Sequence, residues 1–125
     1  MNLKFYRCAH CGKIIVQVKE TKVPTICCGD SMKELEAGTT DASQEKHVPI
    51  CKFENNLVSV NIGSVAHPMT EEHYIEWVAL ETERGLQIRH LMPNNNPEVQ
   101  FAICNEENVK SVFAYCNLHG LWKDR

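Results

Sequence analysis

The stretch Leu57-Val-Ser-Val-Asn-Ile62 alternates apolar and polar side chains, with Val58, Val60 and Ile62 on one side. Alternation with a period of two is typical of a β-strand that is buried on one face. The two asparagines before it, at 55–56, are typical of a tight turn. The stretch therefore predicts one strand of an antiparallel sheet.

Similar short alternations continue along the chain as far as residue 114. They are separated by turn signals at Arg84-Gly85 and between Pro93 and Pro97, and no long run has helical spacing. Their apolar members are Ile75, Trp77 and Ala79; Leu86 and Ile88; Val99, Phe101 and Ile103; and Val112 and Ala114. Several short strands at such intervals predict an antiparallel β-sandwich or barrel for residues 37–125.

Residues 1–36 have a different texture, because they hold four of the seven cysteines and only one short alternation, at Ile14, Val16 and Val18. A polar connection at 38–41 follows. A unit this small buries too little apolar surface to fold unaided and needs a metal or disulfides. We therefore predict two domains, residues 1–36 and residues 37–125.

The cysteines of the first domain form a CxxC pair, Cys8 and Cys11, and an adjacent pair, Cys27-Cys28, followed by Gly29. Four thiolates suit a tetrahedral zinc or iron ion, and the spacing does not choose between the two metals. Disulfides or free thiols are the alternative. Adjacent side chains of an extended backbone point apart, so the second pair requires a bent backbone. His10, between the first two thiols, is predicted to be an exposed polar residue.

A second group of candidate ligands lies in three short polar motifs, EKHVP at 45–49, AHPMTEEHY at 66–74 and YCNLHG at 115–120. These motifs carry His47, His67, His73, Cys116 and His119. Several imidazoles with one thiolate suit a divalent first-row ion, and five protein donors leave one position open for a small anion. The alternative is a histidine-rich surface with a buried cysteine.

Composition excludes several other classes of protein. The net charge of −3 provides no basic footprint for nucleic acid, and no stretch approaches the roughly 18 to 20 apolar residues that span a membrane. Neither a nucleic-acid nor a membrane partner is expected. Nothing near the amino terminus reads as a secretory signal, and an odd number of clustered cysteines suits a reducing compartment. We expect a cytoplasmic location.

The four cysteines of residues 1–36 resemble the desulforedoxin-type rubredoxin centre. The motifs EKHVP, AHPM followed by HY, and YCNLHGLW resemble the superoxide reductase domain of the desulfoferrodoxins. This resemblance covers nearly the whole chain and implies a small FeS4 domain, an immunoglobulin-like antiparallel β-sandwich and a homodimer. It also implies two irons per chain, one Fe(Cys)4 and one Fe(His)4Cys. The ligands of the second would be His47, His67, His73 and His119 in the equatorial plane, His119 through a different ring nitrogen from the others, and Cys116 on the axis.

The same resemblance implies an activity, the one-electron reduction of superoxide to hydrogen peroxide without release of dioxygen. Rubredoxin or a similar small electron carrier would reduce the iron again. Glu45 would ligate the oxidised iron, and Lys46 would lie over the open position, where its charge attracts an anion. For both residues a solvated surface position is the alternative.

Two other functions compete with this one. A non-catalytic zinc protein would use the four cysteines as an interaction staple and the histidine loops as a storage or binding site. A non-haem oxygenase would need a set of two histidines and one carboxylate that explains why Cys116 accompanies His119, and we find no clear one. Cys51 and Cys104 are predicted to be buried or half-buried without a role, and His90 lies in no motif. Trp77, Trp122, Phe101 and Phe113 are predicted to be core or dimer-contact aromatics.

Overall fold

Short strands make up almost all of the regular structure in the computed structural model, which describes residues 3–124. The predicted mostly-β fold class is therefore confirmed. The chain divides into two compact units, with the boundary between Glu36 and Ala37. Among residues 3–124, no helix has both the length and the apolar character required to cross a membrane.

The first unit contains a three-stranded antiparallel sheet and a two-stranded ribbon. Its strands are β1 (Phe5–Arg7), β2 (Ile14–Val16), β3 (Ile26–Cys27), β4 (Asp30–Ser31) and β5 (Lys33–Leu35). The sheet has the order β2-β1-β5, and the ribbon is β3-β4. The buried apolar side chains of residues 3–36 are Phe5, Cys8 and Met32. This core is too small to stabilise the unit by itself.

The second unit is a sandwich of two antiparallel sheets. Its elements are α1 (Gln44–His47), β6 (Pro49–Glu54), β7 (Leu57–Ile62), β8 (Ile75–Thr82), β9 (Gly85–His90), β10 (Glu98–Ala102), β11 (Val109–Cys116) and β12 (Gly120–Lys123). One sheet has the order β10-β7-β6 and the other β12-β11-β8-β9. Two packed antiparallel sheets of three and four strands match the predicted immunoglobulin-like architecture.

The core of the sandwich consists of the inward side chains of both sheets. From β7, Val58, Val60 and Ile62 are at most 1% exposed, and Phe101 of β10 is fully buried. Burial of one such side chain is worth about 1.5–3 kcal/mol. The alternation from which the fold was predicted therefore marks the core face of its strand.

Strand β8 departs from the predicted pattern. Ile75 faces the core, but the next core residues are Val78 and Leu80, whereas Trp77 stacks on Tyr115 outside the core cluster. The register between β8 and β11 shifts next to Cys116. The interpretation of residues 75, 77 and 79 as one alternating face is therefore wrong, because a bulge lies between the first two.

Other departures concern short elements and one cysteine. The four-residue helix α1 and the edge strands β6 and β12 have no clear sequence periodicity and were not predicted. Cys51 is half-buried as expected, but Cys104 is exposed, which corrects that prediction. All seven cysteines are free thiols, so the disulfide alternative has no support in this structure.

Candidate metal centres

The four thiols of the first unit converge on one point. The sulfur atoms of all four cysteines lie within 4.8 Å of one another, and Sγ of Cys11 lies 3.7 Å from Sγ of Cys27. Four sulfurs about 2.3 Å from one tetrahedral ion are about 3.8 Å from each other. The sulfur positions therefore fit a single ion.

Two tight turns bring these thiols together. In the first, the amide of Cys8 donates to the carbonyl of Lys13 at 2.9 Å, and the amide of Gly12 donates to the carbonyl of Cys8 at 3.0 Å. In the second, Cys28 and Gly29 join β3 to β4 with φ values of +53° and +80°. A two-residue loop with positive φ at both positions is typical of a β-hairpin. The bent backbone that was predicted for the adjacent cysteines, Cys27 and Cys28, is therefore present.

Hydrogen bonding shifts the pKa values of these thiols in different directions. The backbone amide of Cys11 donates to Sγ of Cys8 at 3.4 Å, and this bond is the largest of several that together lower the pKa of Cys8 to about 6. The neighbouring thiols of Cys8 and Cys11 raise the pKa of Cys27 to about 12. Four thiolates so close together need a cation among them. The exposed His10 ring lies 2.6 Å from a carboxylate oxygen of Asp30, outside the thiol group.

The histidines of the second unit form a closed square. Ring centroids of neighbours are 4.6 Å apart for His47 and His67, 4.7 Å for His67 and His73, 5.0 Å for His73 and His119, and 4.9 Å for His119 and His47. The diagonal from His47 to His73 is longer, at 6.3 Å. Neighbouring rings are steeply inclined, by 75–86°. Four imidazoles thus surround one central point.

The ring nitrogens are oriented by bonds on the outside of the square. Nδ1 of His47 lies 2.6 Å from the Ser43 carbonyl, and Nδ1 of His67 lies 2.7 Å from the Pro68 carbonyl. Since a carbonyl only accepts, both Nδ1 atoms carry the proton, and each Nε2 has a free lone pair. His119 presents Nδ1 instead, which lies 3.1 Å from Nε2 of His47. Two nitrogens bound at right angles to one ion at about 2.1 Å are about 3 Å apart.

The inner nitrogens show that a metal fits this site. Nε2 of His67 and Nε2 of His73 are buried and lack a hydrogen-bond partner among residues 3–124. A buried unsatisfied nitrogen costs about 1–3 kcal/mol. The sulfur of Cys116 and nitrogens of His47, His67 and His73 lie within 4.8 Å of one another. A first-row divalent ion at this point would satisfy all of these donors.

The electrostatic setting also suits metal binding. Burial lowers the pKa of His67 to about 4, and burial likewise lowers the pKa of His47 and of His73. These rings are therefore neutral and available as ligands at pH 7. Burial raises the pKa of the Cys116 thiol, whereas the backbone amides of Leu118 and His119 favour its thiolate.

The five donors come from four separate places in the sandwich. His47 ends α1, His67 and His73 lie in the connection between β7 and β8, Cys116 ends β11, and His119 lies in the β11–β12 turn. The structure therefore brings together all five residues that the motifs predict. His90, which was left out of the site, is exposed on β9.

Three supporting residues were not identified from the sequence. The side-chain oxygen of Asn117 accepts from the amide of Tyr74 at 2.9 Å, and its amide group donates to the carbonyl of Glu72 at 2.9 Å. Asn117 thereby ties the turn that carries His119 to the loop that carries His73. The other two, Gly63 and Trp122, contact α1 and the histidine square. Asn117 and Trp122 stand within the motif YCNLHGLW, which gives no role to either side chain, and Gly63 has no local signal.

Glu45 and Lys46 lie on α1 directly before His47. The carboxylate of Glu45 is not part of the donor group around the square, and its backbone carbonyl accepts from the amide of Val65 at 3.0 Å. Burial lowers the pKa of His73, and the charges of His119 and Lys46 lower it further. The Lys46 charge is thus close enough to act on the histidines.

Comparison with known proteins gives a consistent result. A family model described as desulfoferrodoxin matches residues 39–125. A desulfoferrodoxin homologue from Archaeoglobus fulgidus is 41% identical over 97% of this chain and 95% of its own length. The superoxide reductase from Treponema pallidum has a TM-score of 0.84 and 35% identity over the full length of both chains. A one-iron superoxide reductase from Giardia intestinalis covers 64% of this chain and 95% of its own, with a TM-score of 0.55 and 37% identity.

Proposed function

Since the chain belongs to the desulfoferrodoxin family, we propose that it is a superoxide reductase, an oxidoreductase that converts superoxide to hydrogen peroxide with one electron and two protons. The observation that carries the proposal is the square of four histidines with a buried thiol beside it. The two side-chain groups match the two iron sites that the family resemblance implies.

In the proposed assignment, the four cysteines of the first unit hold one iron. The ligands of the second iron are His47, His67 and His73 through Nε2, His119 through Nδ1, and Cys116 through its thiolate. These five residues would hold iron, which would supply one electron in changing from the ferrous to the ferric state. The geometry of the outer hydrogen bonds supports the choice of nitrogens, because Nδ1 of His47 and of His67 faces a carbonyl.

The direction of approach of superoxide follows from burial. Cys116 is fully buried, whereas His73 and His119 are half-exposed. We place the approach of superoxide on the side of the half-exposed histidines, where solvent would supply the protons. Lys46 attracts the anion to this side and stabilises the negative charge that develops on its oxygen. Glu45 would approach the open position only after oxidation.

Several finer assignments belong to the same proposal. The electron donor would be rubredoxin or a similar small carrier, and the chain would form a homodimer in the cytoplasm. None of the seven cysteines, all of which lie within residues 3–124, forms a disulfide, which supports a reducing compartment. The tetracysteine iron would be structural, because the first unit buries few apolar side chains of its own.

The test is the reaction of the purified, iron-loaded chain with superoxide. A reductase forms one peroxide for each superoxide consumed and no dioxygen, whereas a dismutase forms half as much peroxide. We expect a His67→Ala variant to lose the reaction and a His90→Ala variant, altered at an exposed histidine outside the square, to keep it. A colourless, zinc-loaded protein that iron reconstitution does not change would overturn the proposal in favour of a structural zinc protein.

A further inference from the structure

The indole of Trp122 contacts two of the four histidines. Its ring stacks on His47 with centroids 4.8 Å apart and an interplanar angle of 25°. Its Nε1–H donates to the backbone carbonyl of His119 at 3.0 Å. Trp122 is 3% exposed. One buried side chain on β12 thus touches both His47 and the β11–β12 turn.

These two contacts restrain different parts of the square. Nδ1 of His47 is bonded to Ser43, and the stack on Trp122 holds the plane of the same ring. An imidazole that is bonded at one nitrogen and stacked on one face cannot rotate without loss of one contact. The bond to the His119 carbonyl restrains the short turn from Cys116 to Gly120, which carries two donors.

We propose that Trp122 is a positioning residue of the second metal centre, setting the distance and angle between His47 and His119. The inference rests on the proposed function and extends it beyond the ligands. The two inner nitrogens lie 3.1 Å apart although 72 residues separate them in sequence. Trp122 contacts both of these residues directly.

A purely space-filling role is the competing explanation. The main core cluster of the described residues does not include Trp122, and its only polar atom bonds to the turn that carries His119. Trp77 provides a matched control in the same unit. It is also buried, at 8% exposure, and it also stacks on an aromatic ring, but that ring is Tyr115.

The experiment compares Trp122→Phe, which keeps a ring for the stack and loses the N–H donor, with Trp122→Leu, which loses both, and with Trp77→Phe. The full chain is loaded with iron, and the release of iron from the histidine centre to a ferrous chelator is timed. The thiolate-to-ferric absorption band is recorded after oxidation. We expect about tenfold faster release for Trp122→Phe and more for Trp122→Leu, with a displaced band in both, because residues that orient metal ligands affect metal affinity by about 10–100-fold.

The Trp77→Phe variant should release iron within about twofold of the unmodified chain and keep its band. Equal release rates and equal bands for Trp122→Phe and Trp77→Phe would overturn the proposal. If Trp122→Leu does not fold, Trp122→Phe alone decides.

Failure of the proposed function is distinguishable from failure of this inference. An unmodified chain that binds iron but consumes no superoxide would refute the reductase, while faster release from Trp122→Phe would still support the positioning role. An unmodified chain with no ion at the square would overturn both.

Discussion

The two metal centres differ in how their donors are supported. In the tetracysteine centre, Cys11 and Cys28 are exposed and lie on turns between strands of two or three residues. In the histidine centre, His47, His67 and Cys116 are at most 3% exposed and are attached to a sandwich with its own core. The difference indicates that a metal holds the first unit together, whereas the second unit holds a metal in place.

Backbone geometry leads to the same distinction. Cys28 has a positive φ of 53°, a conformation that costs a non-glycine residue about 1–2 kcal/mol. Binding of an ion by four thiolates is large enough to offset this cost. In the histidine centre, the unfavourable feature is instead the pair of buried nitrogens that have no hydrogen-bond partner within the described part of the chain, residues 3–124. There the fold maintains the site before the ion arrives.

The largest expected effect is the loss of the first unit on removal of its metal. We predict that chelation, or Cys28→Ala, unfolds residues 3–36 and leaves the sandwich folded, because binding of a structural ion contributes on the order of 10 kcal/mol. Amide hydrogen exchange of β1 and β7 measures the two units separately.

The control for this prediction is His67→Ala, which removes a donor from the other centre and should leave the strands of both units protected. The iron-loaded Cys28→Ala variant should also keep superoxide reduction. Persistent protection of β1 after chelation would show that the first unit has sufficient stability of its own.

The second prediction concerns the turn beneath α1. A Cβ on Gly63 would clash with the Val65 carbonyl oxygen and would lie 2.7 Å from both the Glu45 carbonyl oxygen and the carbonyl carbon of Lys46, at a φ of +85°. We predict that Gly63→Ala destabilises the sandwich by about 3 kcal/mol and lowers iron occupancy of the histidine centre, since both this loop and α1 must move. Urea unfolding and metal analysis measure the two effects.

Gly85→Ala is the matched control, because nothing lies within 4 Å of a Cβ there and its φ is not positive. It should change the free energy of unfolding by less than about 1 kcal/mol. A normal iron content in Gly63→Ala would mean that the histidine centre does not depend on the position of α1.

The two metal centres also show which residues the sequence predicts well. Ligands such as Cys116 and His119 are recognisable because they share one short turn, and their residue types are uncommon outside metal sites. Gly63 lies in no motif, and the stack of Trp122 on His47 joins residues distant in sequence, so the motif YCNLHGLW does not reveal the role of Trp122. The same applies to the fold, since β7 alternates clearly, whereas α1 is too short for a periodic signal.

The misread face of β8 has a related physical cause. Periodicity assumes an unbroken pleat, but the register shift beside Cys116 places both Ile75 and Val78 in the core. The register shift lies at the end of β11, where the Cys116 thiol is part of the metal centre. Irregularities of this kind are frequent next to functional sites, where they redirect a side chain.

The third prediction uses the low pKa of His67 in the metal-free protein. Its pKa falls from 6.5 to about 4 on burial, so the unfolded chain binds a proton in this range and the folded chain does not. Stability is therefore fully present above pH 6.5 and falls with pH towards 4, by about 2 kcal/mol at pH 5 for this residue. Both tryptophans lie in the second unit, so their fluorescence in urea measures its unfolding.

The comparison for this prediction is His67→Gln, which removes the titrating ring. We expect its free energy of unfolding to fall less steeply below pH 6.5 than that of the unmodified metal-free chain. Identical slopes in the two proteins would show that His67 is not kept neutral by the fold, contrary to the distinction between the two centres.

The smallest expected effect concerns the charge of Lys46, which tests whether the sandwich supplies more than ligands. Lys46→Ala should slow the second-order reaction with superoxide by about fivefold and weaken its dependence on ionic strength, because the lysine attracts the anion at a distance. Lys52→Ala, altered at an exposed lysine on β6, should leave both unchanged. Rapid-mixing kinetics at low and high salt measure the effect. An equal loss of rate at all salt concentrations would instead mean that Lys46 acts only on the bound oxygen. The protein around the histidine centre would then contribute to the reaction of bound superoxide and not to the rate at which superoxide reaches the site.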